Sequence, residues 1–187
     1  MSFDQAQPAF GLNDCKVAAY TATNSYGTAA DIHSIQAMNV TTRMMNAELT
    51  GDDQITATAS FAIAGQATIR FGGVSVTALE VMLGITATSS VASPNNIKTF
   101  RVAAGSKTPY FGLVGKAIAA EGLGQTEFWI PKCKIMSDFT LQMEYGNFSI
   151  PEVTVAFVKD DTFNLWNIIL AEATRSLAIP PVNIPTS

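Results

Sequence analysis

From Ile55 to Phe71 the odd positions read Ile, Ala, Ala, Phe, Ile, Gly, Ala, Ile, Phe. The even positions from Gln54 to Arg70 read Gln, Thr, Thr, Ser, Ala, Ala, Gln, Thr, Arg. Period two is the signature of a β-strand with one buried and one wetted face. Ordinary strands run roughly 5–6 residues and this window is about three times longer. As one strand it would span on the order of 55 Å. Its parity assigns Thr56, Thr58, Ser60, Gln66 and Thr68 to the wet face. Phe61, Ile63 and Ile69 fall on the buried one. Gly65 is the expected place for a bend or bulge.

What precedes the window is its natural partner. Ser34–Thr50 is rich in Val, Thr and Met and suits a strand, although its alternation breaks near Met38–Val40. Gly51, Asp52 and Asp53 then form the kind of cluster that reverses a chain. Ser34–Phe71 therefore reads as one long antiparallel hairpin. The period changes in VSVTALEVMLG, where Val76, Leu79, Met82 and Leu83 share a helical face. Thr77 with Glu80 fits a capping box, or Ser75 is the cap, and Gly84 stops the helix. A helix so short depends on tertiary packing, and Leu79 is its expected contact with the sheet.

The rest of the chain reads as further strands. DCKVAAYTAT, IKTFRVAAG, YFGLVGKAIAA, DFTLQMEYG and PEVTVAFV all suit β-structure. QTEFWIPKCKIM is a strand interrupted by Pro131, which points to an edge or a bulge. TSSVASPNN reads as a loop by its Ser, Pro and Asn content. FNLWNIIL fits either strand or amphipathic helix. Residues 1–11 read as a polar arm and residues 176–187 as an extended proline-rich tail, flanking a single domain with no internal repeat or linker.

The chain has 187 residues, enough for one domain with a core. Only 14 % are charged, below the roughly 25 % usual for globular domains. Surface hidden in an oligomer accounts for such a shortage. A net charge of −4 argues against a dedicated nucleic-acid binder, since the basic residues are scattered and PKCKI is their densest spot. No apolar run approaches the roughly 18 residues of a membrane helix. The opening MSFDQAQPAF has no basic start and no apolar core, so a signal peptide is not expected. Cys15 and Cys133 lack metal spacing and are expected as reduced thiols.

Catalytic chemistry finds little to work with. His33 is the one histidine, and no nucleophile elbow, zinc motif or phosphate-cradling loop occurs. Catalytic, cofactor and metal sites are therefore expected to be none, and the chain is not read as an enzyme. Glu48, Asp52 and Asp53 suit a hard cation, but without the ligand ladder of an EF-hand a solvated hairpin tip is the plainer reading. Phe128 and Trp129 beside Lys132 and Lys134 suit base stacking, with core packing again the plainer reading.

The stretch ELTGDDQITATASFAIAGQATIRFGGVSVTALEVMLG resembles phage major tail tube proteins. The shared order is a long hairpin with a Gly/Asp-rich turn, an alternating second strand, then a short helix, here Ala78-Leu79-Glu80-Val81-Met82-Leu83-Gly84. VTVAFVKDDTFNLWNIIL looks like that family's closing strand, polar turn and final strand, which favours strand for Asn164–Leu170. The specific part covers residues 47–84, about a fifth of the chain. The resemblance implies a mainly β fold, an antiparallel β-sandwich or partial barrel with a long hairpin and one short flanking α-helix. It implies a structural virion protein, made in the host cytoplasm, whose hexameric rings stack into a conduit for DNA. The implied partners are further copies of the chain, a tape measure protein, a tail terminator, baseplate or tail-tip proteins, and in some tails a sheath. DNA passes through without specific binding, and no membrane is engaged. On this reading Thr56, Thr58, Ser60, Gln66 and Thr68 face the bore, while Gly51, Asp52 and Asp53 contact the next ring. Arg70, at the end of the polar face, has no evident role. The inner tube of a contractile injection or secretion machine is the closest alternative. A monomeric ligand-binding β-sandwich module is the alternative of another class.

Overall fold

The computed structural model describes residues 9–22, 25–51, 54–92, 95–119, 124–137, 144–146, 150–160 and 165–181. Its elements are β1 (Ala9–Ala22), β2 (Ser25–Tyr26), β3 (Ala30–Asp31), β4 (Ile35–Gly51), β5 (Gln54–Phe71), α1 (Val76–Leu83), β6 (Thr88–Ala92), β7 (Asn95–Thr99), β8 (Phe111–Ala119), β9 (Gln125–Ile135), β10 (Glu152–Phe157) and β11 (Asn167–Ala171). The main sheet runs β2-β1-β8-β9-β10-β5-β4, with β3 beside β1 and β11 beside β9. All its pairings are antiparallel. The structure is mainly β, about 60 % strand, with one helix among the described residues, and the sheet curls into a half-barrel.

The inner face of the curl holds the core. α1 contributes Ala78, Leu79 and Met82 to one buried cluster that also holds Val17, Ile69, Phe71, Phe111, Leu113, Val153, Val155 and Phe157. Ser75 occupies the helix N-cap, but its hydroxyl donates to the Asp31 carbonyl at 3.1 Å, outside the helix. Gly84, at φ 67°, ends the helix in the left-handed region that glycine adopts without penalty. A smaller cluster lies on the outer face, where Leu177 packs on Val114 and Trp129, with Tyr26, Ile169 and Ile179 around them.

Several expectations change. β1 already runs at Ala9, so residues 9–11 of the expected arm are strand; residues 1–8 lie outside the described residues. The Ser/Pro/Asn loop is a two-stranded ribbon, β6 with β7. Pro131 sits at a register irregularity between β8 and β9, a bulge in an interior strand, not an edge. Tyr145, within the expected strand DFTLQMEYG, is exposed in a turn. Residues 138–143 of that expected strand lie outside the described residues. Asn167–Ala171 is a strand, which decides the ambiguity of FNLWNIIL. The expected tail begins with segment 176–181, whose Leu177 and Pro181 are buried.

Candidate functional site

The β4–β5 hairpin is the feature that sets this chain apart from an ordinary half-barrel. Its two strands are 17 and 18 residues long. Near the helix the hairpin follows its sequence parity. Met38 pairs with Ile69, Val40 with Ala67 and Thr42 with Gly65, on the inner face. Gly65, Ala67, Ile69 and Phe71 are buried there. Asn39 pairs with Thr68 and Thr41 with Gln66 on the outer face, and β10 continues these rows with Thr154 opposite Thr68 and Ala156 opposite Gln66. The Thr68 and Thr154 hydroxyls lie 3.3 Å apart. Arg70 forms an ion pair with its cross-strand neighbour Glu152, so the lone charge of the polar face is matched within its own row.

Beyond Gly65 the parity inverts. Arg43 pairs with Ala64, but the next residue, Met44, pairs with Ala62, which leaves Ile63 as the extra residue of a β-bulge. Cross-strand partners share a face, so the residues beyond the bulge exchange sides. Ser60 and Thr58, paired with Asn46 and Glu48, lie on the inner side with Thr42 and Met44. Phe61, paired with Met45, lies on the outer side with Gln66 and Thr68. The Ser60 hydroxyl donates to Asn46 Oδ1 at 2.7 Å, in agreement with this register. The expectation of one face shared by Thr58, Ser60, Gln66 and Thr68 is therefore corrected. So is the placing of Phe61 and Ile63 in the core with Ile69 and Leu79: both are exposed, Phe61 by 49 %. The core ends at Gly65 because neither α1 nor β10 reaches further along β5.

A second register shift falls between Leu49 and Thr50, at the level of Thr56. The Thr56 side chain lies outside what is described. Gly51 ends β4 opposite Gln54. Asp52 and Asp53 lie outside the described residues.

The distal half of the hairpin is bare on both sides. Met44, Met45, Leu49, Phe61 and Ile63 are all exposed, Leu49 by 65 %. At the foot of this half, on the inner side, a cleft of about 570 Å³ is lined by Thr42, Met44, Ala62, Lys159, Leu165 and Trp166. Trp166 closes its floor, donating to Thr42 Oγ1 at 2.9 Å and stacking on Phe128 with ring centroids 5.2 Å apart.

Elsewhere the polar groups hold structure together. Glu127, 1 % exposed, accepts from Arg175 Nε at 2.8 Å and from a terminal guanidinium nitrogen at 2.9 Å. Gln125 bridges the pair, donating to Glu127 and accepting from the Arg175 backbone N–H at 2.8 Å. The Arg175–Glu127 bond holds the guanidinium in its charged form, against the opposing pull of burial. This network ties segment 172–181 across the outer face of β8 and β9, and sequence reasoning missed it. Phe128 and Trp129 are packing residues, the plainer of their two readings. Cys15 and Cys133 are free thiols in the core. Burial pushes both thiols up, with the Asp14 carboxylate adding to the effect at Cys15. His33 is exposed in the turn before β4. Among the described residues no three His, Cys, Asp or Glu converge as a metal site would require. No helix among them is long and apolar enough to cross a membrane.

Comparison of the sequence with protein-family models and with curated proteins finds no match.

Proposed function

We propose that the chain is a structural subunit of a phage tail tube, which assembles as hexameric rings and stacks into a conduit for DNA. The observation that carries this reading is the hairpin: a ribbon whose distal half has no core of its own and exposes large apolar side chains on both faces. Among the described residues β4 stands last in the strand order, so a 17-residue strand forms the edge of the main sheet. A long open edge beside exposed apolar residues is an aggregation hazard in a monomer. A closed ring of copies removes both at once, because each half-barrel extends the next. The charge shortage of the sequence then reflects surface hidden between subunits.

On this reading the bore is lined by the outer face of β10 and of β4 and β5 on the helix side of the bulge, with Gln66 and Thr68 at its middle. Thr58 and Ser60, turned by the bulge, face a neighbouring subunit instead. The Gly51–Asp53 turn, at the end of the ribbon, meets the next ring. The activity is passage, not chemistry: small hydrated side chains offer DNA little to hold. The chain's partners are then its own copies, together with the tape measure, terminator and tail-tip proteins that end or template such a tube.

The inner tube of a contractile machine shares this architecture and the same test. The ligand-binding module draws support from the 570 Å³ cleft, whose size suits a small molecule. Light scattering on purified protein separates the classes. A mass of six subunits, or multiples of it, supports the tube; a monomer at every concentration supports the binding module and overturns the tube.

A further inference from the structure

Four of the eleven basic residues, scattered in the sequence, share the outer face of β9, β5 and β4. Arg43 stands beside Ala64, Arg70 beside Glu152, and Lys134 beside Ala156, one strand from Gln66. Lys132 joins them: its ammonium lies 4.9 Å from the Tyr20 ring centroid and 5.1 Å from that of Tyr110, and Lys134 lies 5.4 Å from Tyr110. The two lysines are thus shelved over aromatic rings, which hold a cation without neutralising it. Glu152 is matched to Arg70. Lys132, Lys134 and Arg43 form no ion pair among the described residues.

Between these cations the face is small and polar: Gln66, Thr68, Thr41, Asn39, Thr154 and Ala156. A protein partner needs buried aromatic or apolar anchors; on this face the exposed large apolar side chains, Met45 and Phe61, stand beyond the bulge, and the Tyr110 ring lies beneath the lysines. A hydrated polyanion needs only spaced cations on an unobstructed surface. We infer that this face is a weak track for a nucleic-acid phosphate backbone, with Lys132, Lys134 and Arg43 as the phosphate contacts. The inference deepens the tube reading and rests on it for the claim that the face lines a bore. Two or three contacts per subunit, against a chain of net charge −4, give attraction that centres a passing duplex without arresting it.

The test is anisotropy of a labelled short DNA duplex titrated with the full chain. Binding at about 50 mM salt should weaken roughly 10- to 40-fold at about 200 mM, the slope expected for two to three phosphates. The double variant Lys132→Gln/Lys134→Gln should bind about tenfold less at low salt, and Arg43→Gln should lower it further. Lys159→Gln, at the inner-side cleft, removes one charge away from this face and should bind as wild type. Melting curves show that each variant is folded. A loss for Lys159→Gln as large as that for Arg43→Gln overturns the inference, as does a wild-type chain that ignores DNA at low salt. Binding of polyglutamate in place of DNA also overturns it and assigns the face to an acidic protein segment. Tubes that form without DNA binding refute this inference alone. DNA binding by a permanent monomer supports the phosphate track and refutes the tube.

Discussion

Gly65 shows how one residue sets the shape of the hairpin. A Cβ there would run into the Phe157 ring and come within 2.7 Å of the Thr41 carbonyl oxygen, one of them in the packed core and the other in the backbone. The glycine therefore admits the Phe157 ring, and the bulge lies two residues away at Ile63. Gly65→Ala is expected to destabilise the subunit by about 2–3 kcal/mol, as overpacking does, read as a lower urea midpoint. The corrected core makes a second expectation. Ile69→Ala or Leu79→Ala should cost about 2–5 kcal/mol, since both side chains are buried together. Phe61→Ala should stay within about 0.5 kcal/mol of wild type in a monomer, because Phe61 is half exposed. A Phe61→Ala midpoint as low as that of Leu79→Ala would contradict the register. Parity alone made Gly65–Phe71 legible in the sequence. A bend or bulge was expected at Gly65 and falls two residues away at Ile63; the exchange of faces beyond it was not legible, because it arises from pairing with β4.

The elements divide by where their signals lie. The hairpin, the strands β8 to β10 and the helix with Gly84 at its end carry local signals, periodicity and stop residues, and were legible. The β6–β7 ribbon was legible only in part: Ile97–Thr99 lies in the expected strand IKTFRVAAG, but β6 falls in a stretch whose Ser and Asn residues are loop-like, and an isolated two-stranded ribbon gains little from its own packing. Segment 172–181 was missed for a different reason. Its anchor joins Arg175 to Glu127 across 48 positions, and no local pattern announces such a pair. Arg175→Ala leaves a buried carboxylate uncompensated and should cost about 3 kcal/mol, the low end for a buried pair because Arg175 itself is partly exposed. A melting temperature equal to wild type would remove the clamp from the account. The two faces of the hairpin are separable by labelling. Cys15 and Cys133, buried with raised thiol pKa, should not react in the folded chain. Against that silent background, Thr68→Cys in assembled protein should react with a small thiol reagent that enters the bore, and Ser60→Cys should be protected by the neighbouring subunit. The reverse pattern would place the bore on the inner side.

At the scale of the molecule, the half-barrel is an unfinished object. Its sheet ends in a long edge, its hairpin extends past its core, and its exposed apolar residues concentrate on that extension. The fold class was legible, since antiparallel strands and one short helix follow from local patterns. On the proposed reading, assembly was legible only as a shortage of charge, because burial between copies would leave no periodic trace within one chain. Assembly into stacked rings resolves each of these features together, and negative-stain electron microscopy of concentrated protein tests it most directly. The account predicts rings with a central channel that stack into tubes of uniform diameter. A field of dispersed, compact single particles at the same concentration would contradict it.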